Sequence, residues 1–425
     1  MKRPIRRLAF FGYLGSGNIG NDATLETVLG WLNSHHPQVE ICCISIAPAG
    51  VTAKYGIPSV PMTWHSPYHR ARGVTEAVAK LFGRLVDIAR SYALAGSVGA
   101  VIVPGMGVLE DSLRVRPWGL PFSLFLMAAA CRLRRRPFVL LDIGAEYAVN
   151  RLTRRLNVAT VKRAAHVSYR DLASAAAMAR AGARAPEAIA PDLVFAHPVS
   201  KLTAPEPGRL VVGVMAYYGP ADDPVRGAAV RRTYVATMAE ALARLTDGGD
   251  QVVLVGGDGV DVDVAHEIRA AVFAQRPRLR ARAVVVREFT TFTELTEEMM
   301  GAEVVVASRF HNLICALRLA RPTVSVGYAR KNRHLMQALS LDEYCQEIGQ
   351  LDGDLLVTQI QSARENGQRL STCIRRVTSE YADKVESLLK RVSEETLGLP
   401  IPLSRRIDLP DELDLPGEVD AWHDS

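Results

Sequence analysis

The chain predicts an α/β protein of two lobes, each built on a parallel sheet covered by helices, with a ligand cleft between them. Three observations lead there. Short, uninterrupted apolar runs alternate with helical segments along most of the chain, the pattern of parallel strands buried on both faces. That rhythm breaks once, in a stretch from Pro191 to Gly208 that also holds Pro198, Pro205 and Pro207 and reads as a linker. Finally, 425 residues at 48% hydrophobic and 23% charged suffice for two separate cores. On this reading residues 1–200 form the first lobe, 201–395 the second, and 396–425 an acidic tail.

The elements follow in order. Leu8 to Gly12 is a strand, and Asp22 to Leu32 a helix that Asn21 or Asp22 can cap. Val39 to Ile46 is the second strand, and Ala71 to Leu94 is helical. Ala100 to Val103 is a buried strand stopped by Pro104-Gly105, followed by a helix from Phe122 to Leu133. Phe138 to Leu141 and His166 to Tyr169 are further strands, and Leu172 to Ala181 is an Ala-rich helix. In the second half the strands are Leu210–Met215, Val252–Val255, Ala283–Val286, Val304–Ala307 and Thr323–Val326. Helices fall between and after them at Val230–Leu245, Val264–Phe273, Phe292–Met300, His311–Leu319, Arg333–Leu339 and Leu370–Val392.

Composition narrows the function. The net charge is +6, spread unevenly: the start (Lys2-Arg3-Pro4-Ile5-Arg6-Arg7) is basic, and the end from Ile407 holds seven acids and no Lys or Arg. The interior is therefore more basic than the total and suits an anionic ligand or an anionic surface. Aromatics at 6% and the absence of a groove-reading motif disfavour nucleic acid. Six cysteines, the adjacent Cys42-Cys43 and four scattered ones, without a CxxC point to reduced thiols in a cytoplasmic protein and to no metal site. No secretory signal is seen, and no apolar run reaches the ~20 residues of a membrane span.

Three strand–turn–helix junctions carry candidate chemistry. Gly15-Ser16-Gly17-Asn18-Ile19-Gly20 is a glycine-rich turn of the phosphate-binding type. A dinucleotide site would also want an acid at the end of the second strand, which reads Ser45-Ile46-Ala47-Pro48. A nicotinamide or flavin cofactor is therefore not expected; a tight turn, or a loop touching sugar or phosphate, remains. Ser308-Arg309-Phe310-His311-Asn312 sits at a strand end and helix start, where an anion is favoured. Arg309 can fork a carboxylate or phosphate, and His311 can exchange a proton. One strand later come Arg330, Lys331 and Arg333, and the first lobe offers Tyr169-Arg170-Asp171. Each also has a plain reading: a structural histidine, a solvated basic loop, an Arg–Asp pair.

Together these segments resemble the polysaccharide pyruvyl transferase family. The resemblance rests on Gly17-Asn18-Ile19-Gly20-Asn21-Asp22, Gly105-Met106-Gly107-Val108-Leu109-Glu110-Asp111, Arg170-Asp171, Pro191-Asp192, Ser308-Arg309-Phe310-His311 and Tyr328-Ala329-Arg330-Lys331. Two departures fall in the first lobe: Met106 replaces a glycine, and Asp142-Ile143-Gly144-Ala145-Glu146 replaces a Gly-x-Gly-x-Gly-Pro element. The resemblance implies two Rossmann-like lobes arranged as in glycosyltransferase-B enzymes, with phosphoenolpyruvate (PEP) held by the second lobe. It implies transfer of the pyruvyl group of PEP to a polysaccharide or glycolipid sugar, forming a cyclic ketal with no cofactor and no metal. His311 and Lys331 are the expected catalytic pair. Arg309, Arg170, Asn312 and Arg330 are the expected PEP ligands, and Gly17, Asn18, Asp22, Gly105 and Asp111 the acceptor-side loops.

Two rivals share this frame. A sugar-nucleotide glycosyltransferase would hold a ribose with an acid of the second lobe, Asp258, Asp261 or Glu303. A non-catalytic sugar- or anion-binding protein of envelope assembly is the other. A lipid-linked acceptor would give the basic start and Arg132-Leu133-Arg134-Arg135-Arg136 a role at the inner membrane face. Self-association as a homo-oligomer is open.

Overall fold

In the computed structural model, residues 5–64, 74–110, 117–199, 202–219 and 224–401 are described. The first lobe alternates β1 (Arg7–Gly12), α1 (Ile19–His35), β2 (Glu40–Ser45), α2 (Pro48–Tyr55), β3 (Ser59–Pro61), α3 (Val74–Ser97), β4 (Ala100–Pro104) and α4 (Leu120–Leu133). It continues with β5 (Phe138–Ile143), α5 (Arg151–Arg163), β6 (His166–Tyr169), α6 (Leu172–Arg180) and β7 (Ala188–Ile189). All its strand pairs are parallel, in the order β3-β2-β1-β4-β5-β6-β7.

The second lobe runs β8 (Arg209–Gly213), α7 (Pro224–Asp247), β9 (Gln251–Val255), α8 (Asp261–Gln275), β10 (Val284–Arg287), α9 (Phe292–Met300) and β11 (Val304–Ala307). It ends with α10 (Phe310–Arg318), β12 (Thr323–Gly327), α11 (Arg330–Ala338), β13 (Cys345–Glu347), α12 (Gly353–Glu365) and α13 (Gly367–Arg391). Its parallel sheet is ordered β10-β9-β8-β11-β12-β13. The central strands are apolar and shut from water, as Leu8 to Phe11 and Val304 to Ala307 illustrate. Helices on both faces remove solvent from such strands, which explains why they read as solid rather than alternating apolar runs.

In each sheet the strand order reverses once, between β1 and β4 and between β8 and β11. Loops leaving those strands diverge and open a crevice at their carboxyl ends. The turns after β1, β4 and β11 carry the glycine-rich and Arg-His segments, so topology alone brings them to one cleft. The lobes touch there: Ile19 N–H donates to Gly257 O at 3.2 Å, and Asn18 Nδ2 donates to Asp258 Oδ2 at 3.2 Å.

The last helix departs from its expected place wholly within the second lobe. Tyr381 meets Phe195 edge to face at 5.1 Å, and Ser393 shares a 2.9 Å hydrogen bond with His36. The chain thus returns to the first lobe after completing the second sheet. Segments α2, β3, α5, α12 and β13 carry too little apolar periodicity to stand out in the sequence. In α5, for example, Arg151, Arg154, Arg155, Lys162 and Arg163 interrupt the pattern.

Candidate active site

A cavity of about 210 Å³ lies between the lobes. Its walls include Asn18, Glu110 and Arg170 from the first lobe and Arg309, His311 and Lys331 from the second. Tyr13, Asn21, Met106, Phe310 and Tyr328 complete much of the lining.

His311 occupies the first turn of α10. Its Nε2 stands 3.9 Å from Asp192 Oδ2, beyond hydrogen-bond reach, and is buried without a partner among the described residues. The opposite edge of the ring packs on Gly20, where any Cβ would collide with the imidazole. The glycine of the first-lobe motif is therefore a seat for a second-lobe histidine. Burial lowers the His311 pKa to about 4; Asp192 opposes this, and Arg170 and Lys331 add to it. The ring is neutral at pH 7.

Lys331 lies one residue into α11, with Nζ 5.0 Å from the centre of the Phe310 ring. It forms no ion pair with a described residue. Burial lowers its pKa, as does Arg170, against Glu110 and Asp192. Arg170 differs: it is buried, bonds Glu110, and reaches Asp192 Oδ2 and Gly105 O at 3.5 Å through Nη1. Burial opposes its charge, but Glu110, Asp192 and Asp171 together hold its pKa above the ordinary value. Gly107 and Gly144 make room for this pair, because a Cβ at either would strike Glu110. One glycine of the divergent Asp142–Glu146 element is thus kept for a contact.

Arg309 is less available than expected. Its Nε and Nη2 donate to the two oxygens of buried Asp261 at 2.9 and 2.7 Å. Asp261 also accepts from Ala216 N and Gly257 N, so this fork fastens the β8 and β9 loops. Only Nη1 of Arg309 is left without a described partner. Asp261 is accordingly not a spare acid for a ribose. Glu303 precedes β11, at the opposite end of the sheet, and accepts from Gly208 N and Arg364 Nε. Of the three acids considered, only Asp258 faces the cleft, bonded to Asn18.

Several expected ligands have structural posts instead. Asn312 touches the cavity but is 1% exposed, wedged under Gly213 and Gly257. Arg330 is exposed and lines a separate hollow with Gln346 and Glu347. Asp22 is buried, accepting from Gly15 N at 2.7 Å and pairing with Lys54 at 2.7 Å. It shapes the glycine-rich turn from behind. Gly17 (φ +92°) provides the bend before Asn18, which caps α1 by accepting from Asn21 N. Gly105 packs on Thr24 and offers its carbonyl to Arg170. Asp111 lies outside the described residues.

Glu110 and Asp192 stand within the sequence motifs, yet nothing in the sequence singles them out as site residues. Their signal is the arginine they share, which only the fold brings to both. No group of three or more His, Cys, Asp or Glu able to hold a metal occurs among the described residues.

Solved structures share the architecture. UDP-GlcNAc 2-epimerase from Neisseria meningitidis, bound to UDP-GlcNAc, has a TM-score of 0.57 over 92% of this chain and 99% of its own, at 11% identity. The S. aureus MnaA–UDP complex gives 0.55 over 93% and 97%, at 10% identity. The UDP-GlcNAc 2-epimerase from Methanocaldococcus jannaschii gives 0.54 over 88% and 99%, at 8% identity. At such identities the likeness speaks for the fold alone, a two-lobed glycosyltransferase-B-like arrangement. The sequence profile of the polysaccharide pyruvyl transferases matches residues 18–330, from the glycine-rich turn to the start of α11, and the chain belongs to that family.

Proposed function

We propose that this protein transfers the pyruvyl group of PEP to two hydroxyls of one sugar, forming a cyclic ketal and releasing phosphate. The observation that carries this reading is the pairing of Lys331, a cation without a carboxylate partner among the described residues, with neutral His311 in one small interlobe cavity. PEP brings a carboxylate and a phosphate, which the ammonium of Lys331, Nη1 of Arg309 and the edge of Arg170 can receive. A cavity of about 210 Å³ suits so small a ligand. It is tight for a sugar nucleotide, since drug-sized ligands occupy roughly 300–1,000 Å³.

A proton adds to the PEP methylene carbon, making a methyl group and an oxocarbenium-like centre at the phosphate-bearing carbon. One sugar hydroxyl adds there, the C–O bond to phosphate breaks, and a second hydroxyl closes the ketal. The two hydroxyl protons account for the one on the new methyl group and the one on the departing phosphate. In this reading His311 shuttles them, with Lys331 as the alternative donor. With a pKa near 4 the protonated imidazolium is scarcely populated at pH 7, so donation depends on the incoming negative charge raising that value.

A donor screen tests the reading. The protein, mixed with a panel of sugars, should release phosphate from PEP and leave UDP-sugars intact. UDP release with no PEP consumption would transfer the proposal to a sugar-nucleotide transferase. Binding of PEP with no turnover on any acceptor would favour a non-catalytic binding protein.

A further inference from the structure

The outer face of the first lobe, where α3, α4 and α5 pack side by side, combines two surface features. The first is apolar. Along α3, Phe82, Leu85, Ile88 and Tyr92 are 43–61% exposed, at the three- and four-residue spacing of one helix face. Trp64 meets Phe82 edge on at 5.9 Å and is itself exposed, as is Trp118. The one acid of α3 beyond Phe82, Asp87, is buried and accepts from Trp64 N.

The second feature is basic. A hollow of about 1010 Å³ on α4 and α5 is lined by Arg132, Arg151, Arg154, Arg155, Lys162 and Arg163, with no carboxylate among the described residues of its walls. None of the six forms an ion pair with a described residue. Between Trp118 and Tyr169 the chain has nine Lys and Arg against Asp142 and Glu146, and Asp142 is fully buried. Stacked contacts join the two features: Arg134 lies 3.8 Å over Tyr92, and Arg84 5.3 Å over Phe122.

We propose that this face docks the protein on an anionic lipid bilayer. Phe82, Leu85 and Tyr92 enter the headgroup layer, and Arg132, Arg155 and Lys162 pair with lipid phosphates. A bilayer asks only for positive sign and apolar side chains, and this face offers both. A folded partner would also need a register, for which the hollow has no carboxylate to serve as a marker. The face comes near the cleft at one point: exposed Trp118 is two residues before buried Leu120, which lines the cavity. Docking would therefore bring a lipid-linked sugar to the cavity mouth; that consequence rests on the proposed reaction, whereas the docking does not.

The test is co-sedimentation of the full chain with vesicles of phosphatidylcholine alone and of phosphatidylcholine with phosphatidylglycerol, across a salt series. Binding should require the anionic lipid and weaken with salt. A triple variant Arg132→Gln/Arg155→Gln/Lys162→Gln should lose at least tenfold in vesicle affinity. Independently, Leu85→Glu should lose a similar factor even at low salt. Both variants should keep the wild-type melting temperature and phosphate release with a water-soluble acceptor. Absence of vesicle binding, or binding that neither variant changes, would overturn the proposal. So would a dimer that Leu85→Glu dissociates in a protein that ignores vesicles, which would make the face a contact between copies of the chain.

Discussion

Lys331 and Arg330 are neighbours, but successive helix residues point about 100° apart. At the start of α11 that rotation sends Lys331 into the cavity and Arg330 toward Glu347. Lys331→Ala should therefore weaken PEP binding roughly 10- to 100-fold, the loss of one or two charge-assisted hydrogen bonds of about 1.5–3 kcal/mol. Arg330→Ala should leave it within twofold. Calorimetric titration with PEP separates the two; equal losses would place Arg330 in the site. Asp142 raises a different question. It is fully buried with φ +55°, and neither carboxyl oxygen has a hydrogen-bond partner among the described residues. Burial, reinforced by Asp192, holds its pKa well above the carboxylate range. A raised folded pKa means that the acid resists folding once the unfolded chain ionises, that is, above about pH 4. Asn keeps the shape, tolerates positive φ and has no charge to lose. Asp142→Asn should thus raise the urea midpoint at pH 7, and the gain should fade as pH drops through 4. A lower midpoint at pH 7 would mean that Asp142 is ionised and paired in the folded protein.

Beside the backbone and capping contacts, two side-chain contacts between elements bear on how the lobes meet. Gly20 on α1 receives the His311 ring, so Gly20→Ala must displace the imidazole or part the lobes. Phosphate release should fall at least tenfold, with little change in the unfolding midpoint. Full activity would mean that the ring is not held at this position during turnover. Farther along α1, Glu26 accepts from Phe292 N, Thr293 N and Thr293 Oγ1 at 3.0–3.1 Å, and from Tyr55 at 2.9 Å. Its carboxylate sits on the amino end of α9, across the cleft from its own lobe. Glu26→Ala leaves those donors unpaired and should lower stability by about 1–3 kcal/mol. An unchanged denaturation midpoint would show that water replaces the carboxylate without loss. Most strands were legible in the sequence, because parallel strands buried on both faces are plain apolar runs. The strand His166–Tyr169 matches to the residue, as does the helix Phe292–Met300. What occupies each arginine was not legible. Arg309 takes Asp261, 48 positions earlier, and Arg170 takes Glu110, 60 positions earlier, and only the folded sheets make these neighbours. The sequence named the junctions that carry cations, but which cation is left over for a ligand is a property of pairing.

Over the whole molecule, two half-sites are each incomplete. The first lobe supplies Arg170 with its carboxylates and the glycine floor, and the second supplies His311, Lys331 and Arg309. The return of α13 to the first lobe ties the halves together on the side where Tyr381 meets Phe195. Among the described residues, no helix is long and apolar enough to cross a membrane. The claim at the centre is that this cleft moves a pyruvyl group from PEP to a sugar. The measurement that tests it most directly is phosphate release from PEP with a panel of sugar acceptors, product mass being recorded for the wild type and for His311→Ala. The account predicts acceptor-dependent release, a product heavier than the acceptor by a pyruvate less one water, and a loss of at least 100-fold in the variant. Acceptor-independent release, or a variant as active as the wild type, would contradict it.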